Sequence, residues 1–296
     1  MRDIFDHLLR APLDTDDATA WALPFDHALA RALRADRLGH AFAAGYHAAL
    51  RALVPSLGPA HRAALCATEA GGAHPKHLST RLDGGAVTGE KRWVTGGASA
   101  TALLVLCVSG ENPLGRKDLR LVWVDADAPG VFFEEMPPPP FVPEVPHASV
   151  RFAGAPVRAV LDGDGWEDLV KPFRTVEDAH VHGAALAYLL GWGRRAGATE
   201  SLTEALLAGA VTFRALAAMD PRSPAAHLAL AGAIAAAEGT LRDADAWVAT
   251  LAGDERARWE RDRALLSVAS RARALRRERA WAKVRGENTS RGVAAV

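Results

Sequence analysis

At 296 residues the chain can form one large domain or two to three small ones, each with a real core. Its 49% hydrophobic content excludes a disordered polypeptide, and 35 Lys+Arg against 35 Asp+Glu leave no net charge to recommend a polyanionic partner. Two cysteines without metal-ligand spacing, an acidic N-terminus without an apolar signal core, and no run near the ~18 apolar residues of a membrane span together predict a reduced, cytoplasmic, membrane-free protein.

In chain order, three textures follow one another. Over residues 25–53 apolar side chains recur at helical spacing: Leu29, Leu33, Leu38, Phe42, Tyr46, Leu50. Pro55, Gly58 and Pro59 then punctuate the chain. Over residues 63–161 the apolar runs shorten. They centre on 102–108, 119–124, 131–133 and 148–152, are bounded by Gly, Pro and Asp, and predict strands of an antiparallel sandwich or barrel. Asp83-Gly84-Gly85, between residues 78–81 and 86–88, is a hairpin signal. From Thr175 proline nearly vanishes and the helical period returns. Helices are predicted over about 176–195, 201–218, 223–251 and 255–283, with Ser223 as N-cap and Pro224 in the first turn of the third. The apolar run over 205–219 reads as a buried helix. Such helices imply a bundle.

Three segments in this order carry a family pattern. The first is Thr68-Glu69-Ala70-Gly71-Gly72. The second is Thr88-Gly89-Glu90-Lys91-Arg92-Trp93-Val94-Thr95-Gly96-Gly97. The third is Val150-Arg151-Phe152 through Leu161, followed by Gly163-Asp164-Gly165-Trp166. Together they resemble the flavin-facing half of the acyl-CoA dehydrogenase family, as a shortened, divergent member. The resemblance implies an α+β multi-domain fold: an abbreviated N-terminal helical region (1–62), a middle antiparallel β-barrel or sandwich (63–165) and a C-terminal helical bundle (166–296). It also implies FAD as cofactor, an acyl thioester such as acyl-CoA as substrate, and a homo-oligomer. By the same resemblance Thr68 and Thr95 would hydrogen-bond the flavin ring edge and Trp93 would lie against the ring. Gly71 and Gly72 would let backbone amides approach a phosphate or acyl chain, and His74 would contact a phosphate. Outside the motif context, Trp93 reads equally as a core aromatic, and the two threonines as ordinary strand residues.

The departures are as specific. Ala73-His74-Pro75 stands where the family has Gly-Ser-Asp, and Pro75 removes an amide donor. The bundle lacks the family's Arg-x-x-Phe-Gly segment and its Gly-Gly-x-Gly-Tyr turn. Glu238-Gly239-Thr240 has the sequence of the family's catalytic tripeptide but falls mid-helix and too early, so the catalytic base is unassigned; Glu177 and Glu204 are alternatives that nothing local singles out. A second reading is a non-catalytic relative serving as a ligand-binding or protein-interaction scaffold. A third uses the arginines of the last helix, among them Arg276, Arg277 and Arg279, to contact nucleic acid; the zero net charge disfavours it against a solvated face or subunit contact. The eleven histidines, His147 among them, show no metal spacing, and no metal is expected.

Overall fold

The computed structural model describes residues 3–10, 21–72, 74–111 and 114–287. The chain resolves into two compact units, one formed by Tyr46–Arg174 and the other by Met1–Gly45 with Thr175–Val296.

The first unit is built on an eight-stranded sheet: β1 (Ala63–Cys66), β2 (Arg81–Asp83), β3 (Ala86–Thr95), β4 (Ala102–Glu111), β5 (Lys117–Asp125), β6 (Val131–Glu135), β7 (His147–Pro156) and β8 (Ala159–Val160). The strand order is β6-β7-β3-β2-β4-β5-β8, and β1 pairs with β4. Strand β4 is buried from Ala102 to Val108, as its unbroken apolar run demands. Cys66, Val87, Val94, Val105, Val122 and Phe152 converge in the core below it. Asp83 pairs with Ala86, so Gly84 and Gly85 form a two-residue loop with φ of 54° and 78°; both positive angles are what a tight primed turn needs. The sheet departs from the expected antiparallel arrangement. β1 runs parallel to β4, from Ala63↔Ala102 to Cys66↔Val105, and β2 meets β4 in parallel at Arg81↔Val108. Parallel pairing needs a long connection, here everything from Ala67 to Thr101, and short-range hairpin signals carry no trace of it. The chain leaves the sheet through a wide turn of helix over Gly165–Val170, capped by Asp164, whose carboxylate accepts from the amides of Trp166 and Glu167 at 2.8 and 2.7 Å.

The second unit is helical: α1 (Ile4–Arg10), α2 (Pro24–Leu33), the start of α3 (Leu38–Leu53), most of α4 (Lys171–Ala196), α5 (Glu200–Ala217), α6 (Pro224–Ala249), α7 (Asp254–Asp262) and α8 (Ser270–Val284). Helix α4 is its axis, buried on every side from Asp178 to Gly193. A side chain at Gly191 would put its Cβ 1.8 Å from the Leu33 carbonyl oxygen, so glycine there lets α2 touch α4. Leu29, Leu33, Leu189, Trp192, Phe213 and Trp259 fill the core. Ser223 caps α6 by accepting from the Ala226 amide at 3.1 Å, with Pro224 in the first turn, as the sequence predicts.

Two expectations change here. α5 is not buried all round: Leu202, Leu206, Ala210 and Phe213 face inward while Val211 is exposed, a one-sided helix. The single helix expected over 255–283 is broken by a tighter turn at Arg263–Ser267. Trp259 anchors the first piece, its indole donating to Asp245 at 2.8 Å. The second piece is tied to α4 by Asp178, which pairs with Arg273 at 3.2 Å and with Arg276.

Candidate functional site

The second half of β3 departs from regular strand geometry. Its register against β7 runs Lys91↔Val150 and resumes at Val94↔Ala148, so Arg92 and Trp93 together oppose Ser149. This is a β-bulge, a device that re-aims side chains. Trp93 sits in it at φ 59°, a left-handed conformation that disfavours a bulky residue by roughly 1–2 kcal/mol. Its indole is 56% exposed, so core packing does not offset that strain. A strained, outward-facing aromatic on a rigid strand is the signature of a surface that meets something.

His147 lies directly across the sheet from Thr95, with its Nε2 3.4 Å from the Thr95 hydroxyl and its ring edge-on to Trp93 at 6.2 Å. Among the described residues only Trp93 and Val142 combine a side chain with positive φ. The Gly96 amide donates to the Pro146 carbonyl at 2.9 Å, closing the end of β3 onto the same segment. Burial pushes the His147 imidazole below its ordinary value, opposed by the backbone at Val145.

On the other side of the bulge, the Arg92 amide donates to the Thr68 carbonyl at 2.8 Å, joining the loop after β1 to β3 next to Trp93. The loop then turns tightly: Gly72 donates to Glu69 at 2.9 Å and Glu69 to Gly72 at 3.2 Å. Beneath it lies a buried ion pair. Lys91 is fully buried and its ammonium is 2.7 Å from Glu69. The Glu69 carboxylate also accepts from the Ser79 amide (2.8 Å), the Ser79 hydroxyl (2.6 Å) and the Thr80 amide (3.1 Å). Burial alone would push this carboxyl up; the bonds from Lys91, Ser79 and Thr80 outweigh it and hold the group at about 2.

Thr68, Gly71 and Gly72 thus share one loop, pinned at its root to the strand that carries Trp93 and Thr95. His74 lies beyond it, exposed, with its Nδ1 accepting from the Lys76 amide at 3.2 Å to cap the turn Pro75–His77. That bond occupies the nitrogen nearest the backbone and makes a capping role its first one. Three residues join the site that sequence reasoning did not assign to it: Glu69 and Lys91, both inside the motifs, and His147, which only the strand register brings to Thr95. A polar hollow lined by His61, Thr101, Asp125, Asp127 and Arg158 lies in the same unit and includes none of these groups.

Of the carboxylates weighed as a base, Glu177 is half-buried on α4. Glu238 is in the middle of α6 with Arg263 3.7 Å away, and Glu204 is exposed on α5. Among the described residues no three His, Cys, Asp or Glu could hold a metal, and no helix is long and apolar enough to cross a membrane.

Residues 64–155 match the family described as acyl-CoA dehydrogenase, middle domain. No curated protein matches the sequence. Among solved structures, the chain is similar to FkbI, which serves biosynthesis of a methoxymalonyl extender unit (20% identity, TM-score 0.65, 89% of this chain and 84% of that one). It is similar also to glutaryl-CoA dehydrogenase from Mycobacterium smegmatis (14%, 0.61, 93% and 81%) and to PigA with FAD and proline (14%, 0.59, 89% and 82%). The match covers that family's middle domain over residues 64–155, and the solved structures share the fold. The matched span contains Thr68, Glu69, Lys91, Trp93, Thr95 and His147.

Proposed function

We propose that the chain is an FAD-dependent oxidoreductase of acyl-CoA dehydrogenase type acting on an acyl thioester or related small substrate, and that it works as a homo-oligomer. The observation that carries this is Trp93, an exposed aromatic held in a strained bulge beside the Thr95 hydroxyl, inside the span that matches the family's middle domain. The residues fit an isoalloxazine ring. The Trp93 indole offers a flat apolar face, Thr95 and Thr68 offer hydroxyls, and Gly71 and Gly72 leave the loop backbone open. Bound there, the flavin would supply the hydride-accepting chemistry. The chain's own part is to seat the ring, orient the Thr95 hydroxyl through His147 and keep the bulge rigid. Exposed Trp281 and Val284 on α8 supply apolar surface for the proposed assembly.

A second reading, a flavin-holding scaffold without dehydrogenation, draws on the placement of Glu238 against Arg263 in mid-helix. Anaerobic mixing of the FAD-loaded protein with a panel of acyl-CoA thioesters separates the two. Bleaching of the flavin band is expected for the oxidoreductase. A band that stays constant across the panel, with FAD still bound, assigns the scaffold. Nucleic-acid contact is the weaker reading still, since Arg273 and Arg276 are spent on Asp178.

A further inference from the structure

The Glu69–Lys91 pair is not explained by stability alone. A buried ion pair gains little over well-packed apolar side chains, and its best-attested use is to select one arrangement of the chain over others. Its position suits that use. Glu69 follows Thr68 and closes the loop turn to Gly72; Lys91 is the last residue of β3 in regular register before the bulge of Arg92 and Trp93. The same carboxylate holds Ser79 and Thr80, which lead into β2, the hairpin partner of β3. One buried anion therefore gathers three stretches of chain that are distant in sequence and meet under the candidate site. A strand with a bulge has a nearby alternative without it, in which every later side chain changes face. With its ammonium fixed on Glu69, Lys91 cannot make that slip.

We propose that Glu69 and Lys91 are a positioning pair that locks the register of the Trp93 bulge against the Thr68 loop and thereby sets the affinity of the ring-binding surface. This rests on the flavin reading for its ligand, but its structural half stands apart from it. Lys91→Met is the informative variant. Methionine is apolar and of similar length, and Glu69 keeps its three bonds from Ser79 and Thr80, so the unit is expected to fold. Glu69→Gln combined with Lys91→Met removes both charges and serves as a second variant if the first is unstable.

Two measurements decide it. Amide hydrogen exchange on the FAD-free full chain reads the lock directly. In Lys91→Met the Arg92 amide, bonded to Thr68, is expected to exchange at least tenfold faster, while amides pairing β4 with β5 keep their wild-type rates. FAD titration then reads the consequence: a tenfold or greater loss of affinity in the folded variant, with a shifted flavin band. Uniform acceleration across β4 and β5 would overturn the proposal by making the pair a stability element. Exchange at Arg92 within threefold of wild type would overturn it equally. Should the wild-type chain take up no FAD, the flavin reading fails, and the exchange measurement still decides the lock.

Discussion

Trp93 concentrates the argument at the scale of the single residue, because its backbone is strained and its side chain is solvent-facing. Asparagine tolerates the left-handed region, so Trp93→Asn relieves strain while giving up little burial; thermal stability is expected to stay within about 1 kcal/mol of wild type while FAD affinity drops at least tenfold. A large loss of melting temperature would instead mark Trp93 as a packing residue. Glu69 makes a prediction in pH. Its folded value, about 2, lies below the unfolded 4.5, so its stabilisation is complete above pH 4.5 and is lost as pH falls toward 2. The effect is read as the difference in acid unfolding between wild type and Glu69→Gln. Parallel unfolding curves for the two proteins over that window would refute this.

At the scale of elements, contacts between helices can be tested one by one. Gly191→Ala drives a methyl group into the Leu33 carbonyl and is expected to cost about 3 kcal/mol, measured by denaturant unfolding. Asp178→Ala leaves Arg273 and Arg276 without their shared partner; the expected loss is about 3 kcal/mol, with faster amide exchange concentrated in α8. The sequence shows these elements unevenly, for physical reasons. Local chemistry was legible: Gly84-Gly85 makes the hairpin, and Ser223-Pro224 starts α6 where expected. The break at Arg263–Ser267 was not, because no glycine or proline marks it and the buried side chains before and within it, Trp259 and Leu266, are placed by tertiary packing. The parallel pairing of β1 with β4 escaped for a related cause: it joins segments almost forty residues apart, and the apolar run over 102–108 carries no sign of its distant partner. At the candidate site the motif residues named Thr68, Trp93 and Thr95, and the strand supplied what motifs omit: the bulge, and His147 across from Thr95, which is 52 positions away.

For the whole molecule, the fold is shared with solved acyl-CoA dehydrogenases and residues 64–155 match that family's middle domain, while Glu238-Gly239-Thr240 lies in mid-helix and Ala73-His74-Pro75 departs from the family pattern. The proposed flavin site is the surface around Trp93. The most direct test is the visible absorption spectrum of the purified full chain after incubation with excess FAD and desalting, alongside Trp93→Ala combined with Thr95→Ala. A retained flavin band is expected in the wild-type chain, and its loss in a folded double variant. A colourless wild-type protein, or a band equally strong in the variant, would contradict it.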